Sequence, residues 1–221
     1  MAKRYILLFL LGTVIGLGVL FALQRFLAPK GVTLGPAEMR AGPTITGPQI
    51  GGPFTLTTHR GETVTDETFR GKFMLIFFGF THCPDVCPTE LAKFAQVLQV
   101  LGPAANTVQP LFITIDPERD TAEALARHIS LFDERILGLT GTPEQIAAVT
   151  KNYRVYYAKA PSESAGDYLM DHSSFAYLMA PDGSFIDVFP LEKQAADIAF
   201  TIRRVTSMDS EATKQQSEKA R

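Results

Sequence analysis

The chain has 221 residues, enough for one domain of ordinary size with appendages, and its 21 basic and 23 acidic side chains leave a formal net charge of -2. Without a basic excess, nucleic acid is not an expected partner. There are two cysteines, four positions apart. So short a loop makes a weak staple, because the entropy removed by a cross-link grows with loop length, and the pair reads as chemistry.

From the N-terminus, Tyr5 to Leu23 form an uncharged apolar run, YILLFLLGTVIGLGVLFAL. As a helix it would reach about 28 Å, close to the thickness of a bilayer's hydrocarbon core. Lys3 and Arg4 precede it, which predicts a cytoplasmic N-terminus with the rest of the chain exported. A cleaved signal peptide would have a shorter core and a small-x-small cleavage site, where this chain has Gln24-Arg25-Phe26. The expectation is a transmembrane anchor over residues 1–28, single-pass in a bacterial inner membrane, with the domain in the periplasm. Residues 29–52, rich in Gly and Pro, read as a tether.

The domain is expected over 53–206. FTLTTHRGETVT alternates around Arg60-Gly61 and predicts a hairpin. KFMLIFFGF is a continuous apolar run, as in a strand covered on both faces. Helical spacing follows, with Leu91, Phe94, Ala95, Leu98 and Leu101 on one face. LFITID predicts a second buried strand, TAEALARHISLF a second helix, and Ile136–Leu139 a short strand. Thr142-Pro143-Glu144 opens another helix with an N-cap and a proline at the first helical position. DHSSFAYLMAPDGSFIDVFP reads as two strands around Pro181-Asp182-Gly183, and AADIAFTIRRV as the closing helix. The polar segment 207–221 reads as a disordered tail or a frayed helix. The predicted fold class is α/β, a thioredoxin-like mixed sheet flanked by helices and preceded by one transmembrane helix.

Cys83 and Cys87 fall where the first long strand gives way to a helix, the edge at which α/β sheets place ligands. Backbone donors and the positive helix end there favour thiolate, which is both nucleophile and metal ligand. A spacing of four lets the two sulfurs converge on one object, either in a disulfide or on a metal ion. Two thiolates are too few for a closed structural zinc site, whereas copper accepts two thiolates and one more donor. Among the four histidines, His59 reads as a turn residue and His128 as a helix residue on a partly solvated face. His82 adjoins Cys83, but neighbouring side chains diverge. His172, in Met170-Asp171-His172-Ser173-Ser174 at the entry to the penultimate strand, would face the cysteine loop in a thioredoxin-like sheet. Asp85 and Asp171 read as helix-start and turn residues, with orientation of a ligating imidazole as the alternative. Asp116-Pro117-Glu118-Arg119-Asp120 reads as a cap for the next helix. Met170 and Met179 are soft donors that read as packing.

FGFTHCPDVCPTEL, FITIDPERDT and DYLMDHSSFAYLMAPDGSFID together resemble the Sco/SenC/PrrC family of copper-handling proteins, over about Ile50 to Val205. The resemblance implies a thioredoxin-like fold with copper ligands at Cys83, Cys87 and His172. It also implies delivery of copper to the dinuclear copper centre of cytochrome c oxidase. The partners expected are the copper-site subunit of that oxidase and another copper carrier, with a thiol-reducing protein to keep the cysteines reduced in an oxidising compartment.

A copper-delivery protein needs no conventional turnover, so enzyme activity is not required. The rival is a thiol–disulfide oxidoreductase with Cys83 and Cys87 as its redox pair, acting on the oxidase copper site or on other extracytoplasmic proteins. Against it, redox-active thioredoxins use CxxC and carry a cis-proline where this chain has Ser173-Ser174. A peroxide-reducing thiol enzyme would need an activating Arg and Thr that the sequence does not assign.

Overall fold

The computed structural model describes residues 49–161 and 168–219. Most of the expected anchor and tether therefore lies outside the described residues. Among the described residues, no helix is long and apolar enough to cross a membrane.

The predicted hairpin forms from β1 (Thr55–Thr58) and β2 (Thr63–Thr65), with Gly61 at φ +85° supplying the left-handed turn residue. The apolar run KFMLIFFGF becomes β3 (Phe73–Gly79), in which every residue is buried. It leads into α1 (Val86–Leu101), whose buried positions include Cys87, Leu91, Phe94, Val97, Leu98 and Leu101. Of the predicted face only Ala95 is less than fully covered, and Val97 takes a core position in addition. There follow β4 (Val108–Thr114), α2 (Ala122–Ile129), β5 (Leu137–Thr140) and α3 (Pro143–Asn152). Thr142 caps α3 reciprocally: its Oγ accepts the Gln145 N–H at 3.3 Å, and Gln145 Oε1 accepts the Thr142 N–H at 2.8 Å.

Next come β6 (Tyr157–Pro161) and β7 (Tyr168–His172), paired antiparallel as a separate two-stranded sheet. The chain closes with β8 (Phe175–Met179), β9 (Phe185–Pro190) and α4 (Ala195–Lys219). The large sheet has the order β2-β1-β5-β4-β3-β8-β9. Its centre, β3-β4-β5, is parallel, while β8 pairs antiparallel with β3 and β1 antiparallel with β5. The fold is thus thioredoxin-like: a mixed sheet flanked by helices.

Two features differ from the sequence expectation. The β6–β7 hairpin was not predicted, because it is a half-exposed ribbon containing Lys159 and Pro161 that lacks a clean apolar alternation. His172 accordingly ends β7 instead of opening the strand of the main sheet, which begins at Phe175. The backbone of α4 continues to Lys219, the helical alternative for the polar segment 207–221.

Candidate metal centre

The cysteine segment leaves the C-terminal end of β3 and turns back on itself, with the Cys83 N–H donating to the Phe80 carbonyl at 3.3 Å. Helix α1 starts at Val86, so the Cys87 N–H is a first-turn donor without an intrahelical acceptor. It donates to Cys83 Sγ at 3.4 Å. Asp85 stands at the N-cap but makes no side-chain cap; its carbonyl accepts the Thr89 N–H at 3.2 Å. Cys83 is half-buried and Cys87 fully buried, and neither is in a disulfide.

Gly79 decides how deep Cys87 can sit. A Cβ at that position would lie 2.7 Å from Cys87 Sγ and 2.8 Å from the Phe112 ring. The strand register places Gly79 opposite Thr114 and Phe78 opposite Ile113, and β3 carries no side chain just where the sulfur packs down. Only the missing side chain makes this room.

His172 arrives from 85 positions away, and its Nε2 lies 4.0 Å from Cys87 Sγ. Its Nδ1 is 3.0 Å from the Ser173 carbonyl. A carbonyl only accepts, so Nδ1 carries the proton and Nε2 presents its lone pair to the sulfurs. Phe77 and Phe80 wall the imidazole edge-to-face at 5.9 and 6.1 Å between centroids. Asp171 is exposed beside it and does not take this hydrogen bond.

The thiols are driven apart in acidity. A hydrogen bond from the Cys87 side chain is the chief influence on Cys83, whose pKa falls to about 3 against the opposing effect of burial. The backbone N–H groups of Cys87 and Asp85 help to hold its thiolate. Cys87 moves upward, because it hydrogen-bonds the Cys83 thiolate and is buried. One sulfur is therefore a ready thiolate at the surface and the other a protonated donor beneath it.

The segment 116–120, expected as a helix cap, braces both halves of the site. The cap of α2 is Thr121, whose Oγ accepts the Ala124 N–H at 3.2 Å. Asp120 is fully buried and accepts from the Thr81 N–H at 3.0 Å, Thr81 Oγ at 2.6 Å and Thr114 Oγ at 2.7 Å. It ties the cysteine segment to β4. Asp116 accepts the Tyr168 hydroxyl at 2.8 Å and pairs with Arg119. The Arg119 guanidinium lies 3.7 Å from the Tyr168 ring centroid and donates to the Tyr168 carbonyl at 2.9 Å. Lys159 covers the same ring at 4.5 Å and pairs with Glu118. These contacts tie the β6–β7 hairpin, and with it His172, to the same loop.

The other histidines stay apart from this pair. His59 Nδ1 accepts the Gly138 N–H at 3.0 Å. His128 packs between Phe112 and Phe132 and is partly exposed, as expected, although its Nε2 is buried without a hydrogen-bond partner. His82 is exposed and lies towards Thr81 and Asp120.

Phe80, Cys83, Pro84, Leu169, Met170 and His172 are among the residues lining an open groove of about 220 Å³. Two thiols and an imidazole nitrogen suit a soft or borderline ion and not a hard one, which would demand oxygen. Among the described residues, no three His, Cys, Asp or Glu side chains are already drawn into metal-binding geometry. Cys83, Cys87 and His172 are neighbours, not a closed cage.

The family model described as SCO1/SenC matches residues 42–207. The chain is 48% identical over 157 residues to the human "Protein SCO1 homolog, mitochondrial", covering 70% of this chain and 52% of that protein. It is 50% identical over 155 residues to the bovine "Protein SCO2 homolog, mitochondrial", covering 69% and 58%. The aligned part thus spans little more than half the length of these curated relatives. Among solved structures, Bradyrhizobium japonicum ScoI with copper bound is 47% identical with a TM-score of 0.66, covering 70% of this chain and 98% of that one. Yeast Sco1 with copper bound is 42% identical with a TM-score of 0.67, covering 72% and 90%.

Proposed function

Because the chain belongs to the SCO1/SenC family, we propose that it is a copper carrier holding the ion through Cys83, Cys87 and His172. The observation that carries this reading is the approach of Cys87 Sγ and His172 Nε2 to 4.0 Å beside the Cys83 thiolate. Copper bound in the related ScoI and Sco1 structures supports it. A carrier must hold its cargo and still leave a coordination position for the recipient. Two thiolates, one from the loop before α1 and one from its first turn, and one imidazole from a separate hairpin satisfy both needs. The recipient is the dinuclear copper centre of cytochrome c oxidase, and the domain works in the periplasm at the end of an N-terminal membrane anchor. A thiol-reducing protein keeps both cysteines available there. The test is an anaerobic Cu(I) titration of the reduced, detergent-solubilised full chain followed by X-ray absorption. Two sulfurs and an imidazole nitrogen at one copper per chain are expected; a sulfur-only site would remove His172 from the set.

The asymmetric acidity of the two thiols favours a second reading, thiol–disulfide exchange. The Cys83 thiolate would attack one sulfur of a partner disulfide, breaking the partner's S–S bond and expelling the other sulfur as thiolate. Cys87, giving up its proton, would then attack Cys83 Sγ, releasing the partner as a dithiol and leaving Cys83–Cys87 oxidised. An external dithiol must reduce that pair again. Oxidation of Cys83–Cys87 in step with reduction of a partner disulfide, in metal-free buffer, would establish this activity.

A further inference from the structure

Met170 was expected to serve packing, together with Met179. The structure separates the two. Met179 is completely buried in β8 and pairs in register with Met74 at the far end of β3 from the cysteines. Met170 lies on β7, where burial alternates: Met170 is buried and Tyr168 and His172 half-buried, while Leu169 and Asp171 are exposed. Met170 therefore projects to the same face as His172, two residues before it.

Met170 lines the groove that contains Cys83 and His172, as do its neighbours Leu169 and Asp171. Met170 also lines a second cavity of about 160 Å³, together with Ile115, Asp116, Tyr157 and Lys159 among others. Met170 is buried within the hydrophobic core, as a packing residue would be, and it also lines both openings. An unbranched thioether with three rotatable bonds can use this room to swing its sulfur. Residues i and i+2 of a strand are about 7 Å apart along the chain, a span that an imidazole and a thioether can close on one ion.

We propose that Met170 is a fourth, soft donor at this site, engaged by Cu(I) and not by Cu(II). The inference rests on the copper reading above and extends it to oxidation-state selectivity. A neutral thioether adds no charge, so it favours the softer, singly charged ion, whereas Cu(II) is better served by nitrogen and thiolate. Because Met170 shares a strand with His172, the two donors move together on the hairpin clasped by Arg119 and Asp116.

The test uses the full chain labelled with selenomethionine, reduced and loaded with one equivalent of Cu(I). X-ray absorption at the copper edge should show one selenium scatterer beside the two sulfurs and the nitrogen. The scatterer should vanish in Met170→Leu, a substitution of similar volume, while the other methionines remain labelled. In unlabelled protein, Met170→Leu should weaken Cu(I) binding about tenfold, lowering the copper potential by about 59 mV, and leave Cu(II) affinity and the visible spectrum unchanged. A loaded site with two sulfurs, one nitrogen and no selenium overturns the role of Met170 and leaves the copper reading standing. Failure of the unsubstituted chain to take up one copper overturns the copper reading, and the role of Met170 with it.

Discussion

Cys87 Sγ and His172 Nε2 stand 4.0 Å apart although 85 positions separate them in the chain. The contact joins the first turn of α1 to the end of a two-stranded hairpin outside the main sheet. If both are ligands, His172→Ala should weaken copper binding by more than the roughly 10–100-fold typical of residues that only orient a ligand. Metal competition titration would measure it, with the urea midpoint of the metal-free variant showing that the fold survives. Unchanged affinity would place His172 outside the ligand set.

Gly79 gives a separate handle on the same sulfur. Gly79→Ala puts a methyl against Cys87 Sγ and the Phe112 ring, and overpacking of this kind costs about 1–3 kcal/mol. A lower urea midpoint and weaker copper binding are expected together. Wild-type values for both would mean that β3 and α1 separate freely.

The two thiols should differ in reactivity. In the reduced, metal-free protein Cys83, half-buried and depressed to about 3, should be alkylated by iodoacetamide well before Cys87, which is buried and shifted upward. Since Cys83 stays thiolate above that pKa, its rate should be nearly flat from pH 5 to 8, whereas a free cysteine near 8.5 would speed up about tenfold per unit. Peptide mass mapping of a time course reads both the order and the slope.

Asp120 has no surface and no metal-facing role, yet it accepts three hydrogen bonds that tie the cysteine segment to β4. Asp120→Ala strands those donors, at about 1–3 kcal/mol for each one that water cannot reach. The variant should unfold at lower urea and admit protease first within residues 80–86. Limited proteolysis followed by mass spectrometry checks where the first cut falls.

His128 should add an acid limit to stability. Burial holds its pKa below 6.5, so it is neutral when folded while the unfolded chain takes up a proton as pH falls through about 6.5. The stability associated with the neutral ring is thus full above that pH and is lost between 6.5 and the lowered folded value. Urea midpoints of His128→Phe should fall less steeply than wild type over this window. Parallel curves would assign the acid sensitivity to other groups.

Much of the framework was legible in the chain alone. KFMLIFFGF reads as a strand covered on both faces, because seven apolar residues in a row leave no side for water, and the shorter run LFITID reads likewise. The Thr142-Pro143 start fixed the beginning of α3 through local hydrogen bonds that need no tertiary contact. Cys83 and Cys87 stood out for the same reason: their spacing and place after a buried strand are local facts. The ribbon β6–β7 was not legible, since its residues are half-exposed and its pairing is set by the clasp of Arg119 and Asp116 on Tyr168, contacts across some fifty positions. That ribbon decides where His172 and Met170 point. Local pattern determined which residues could do chemistry; long-range packing, which sequence periodicity does not encode, decided which of them meet.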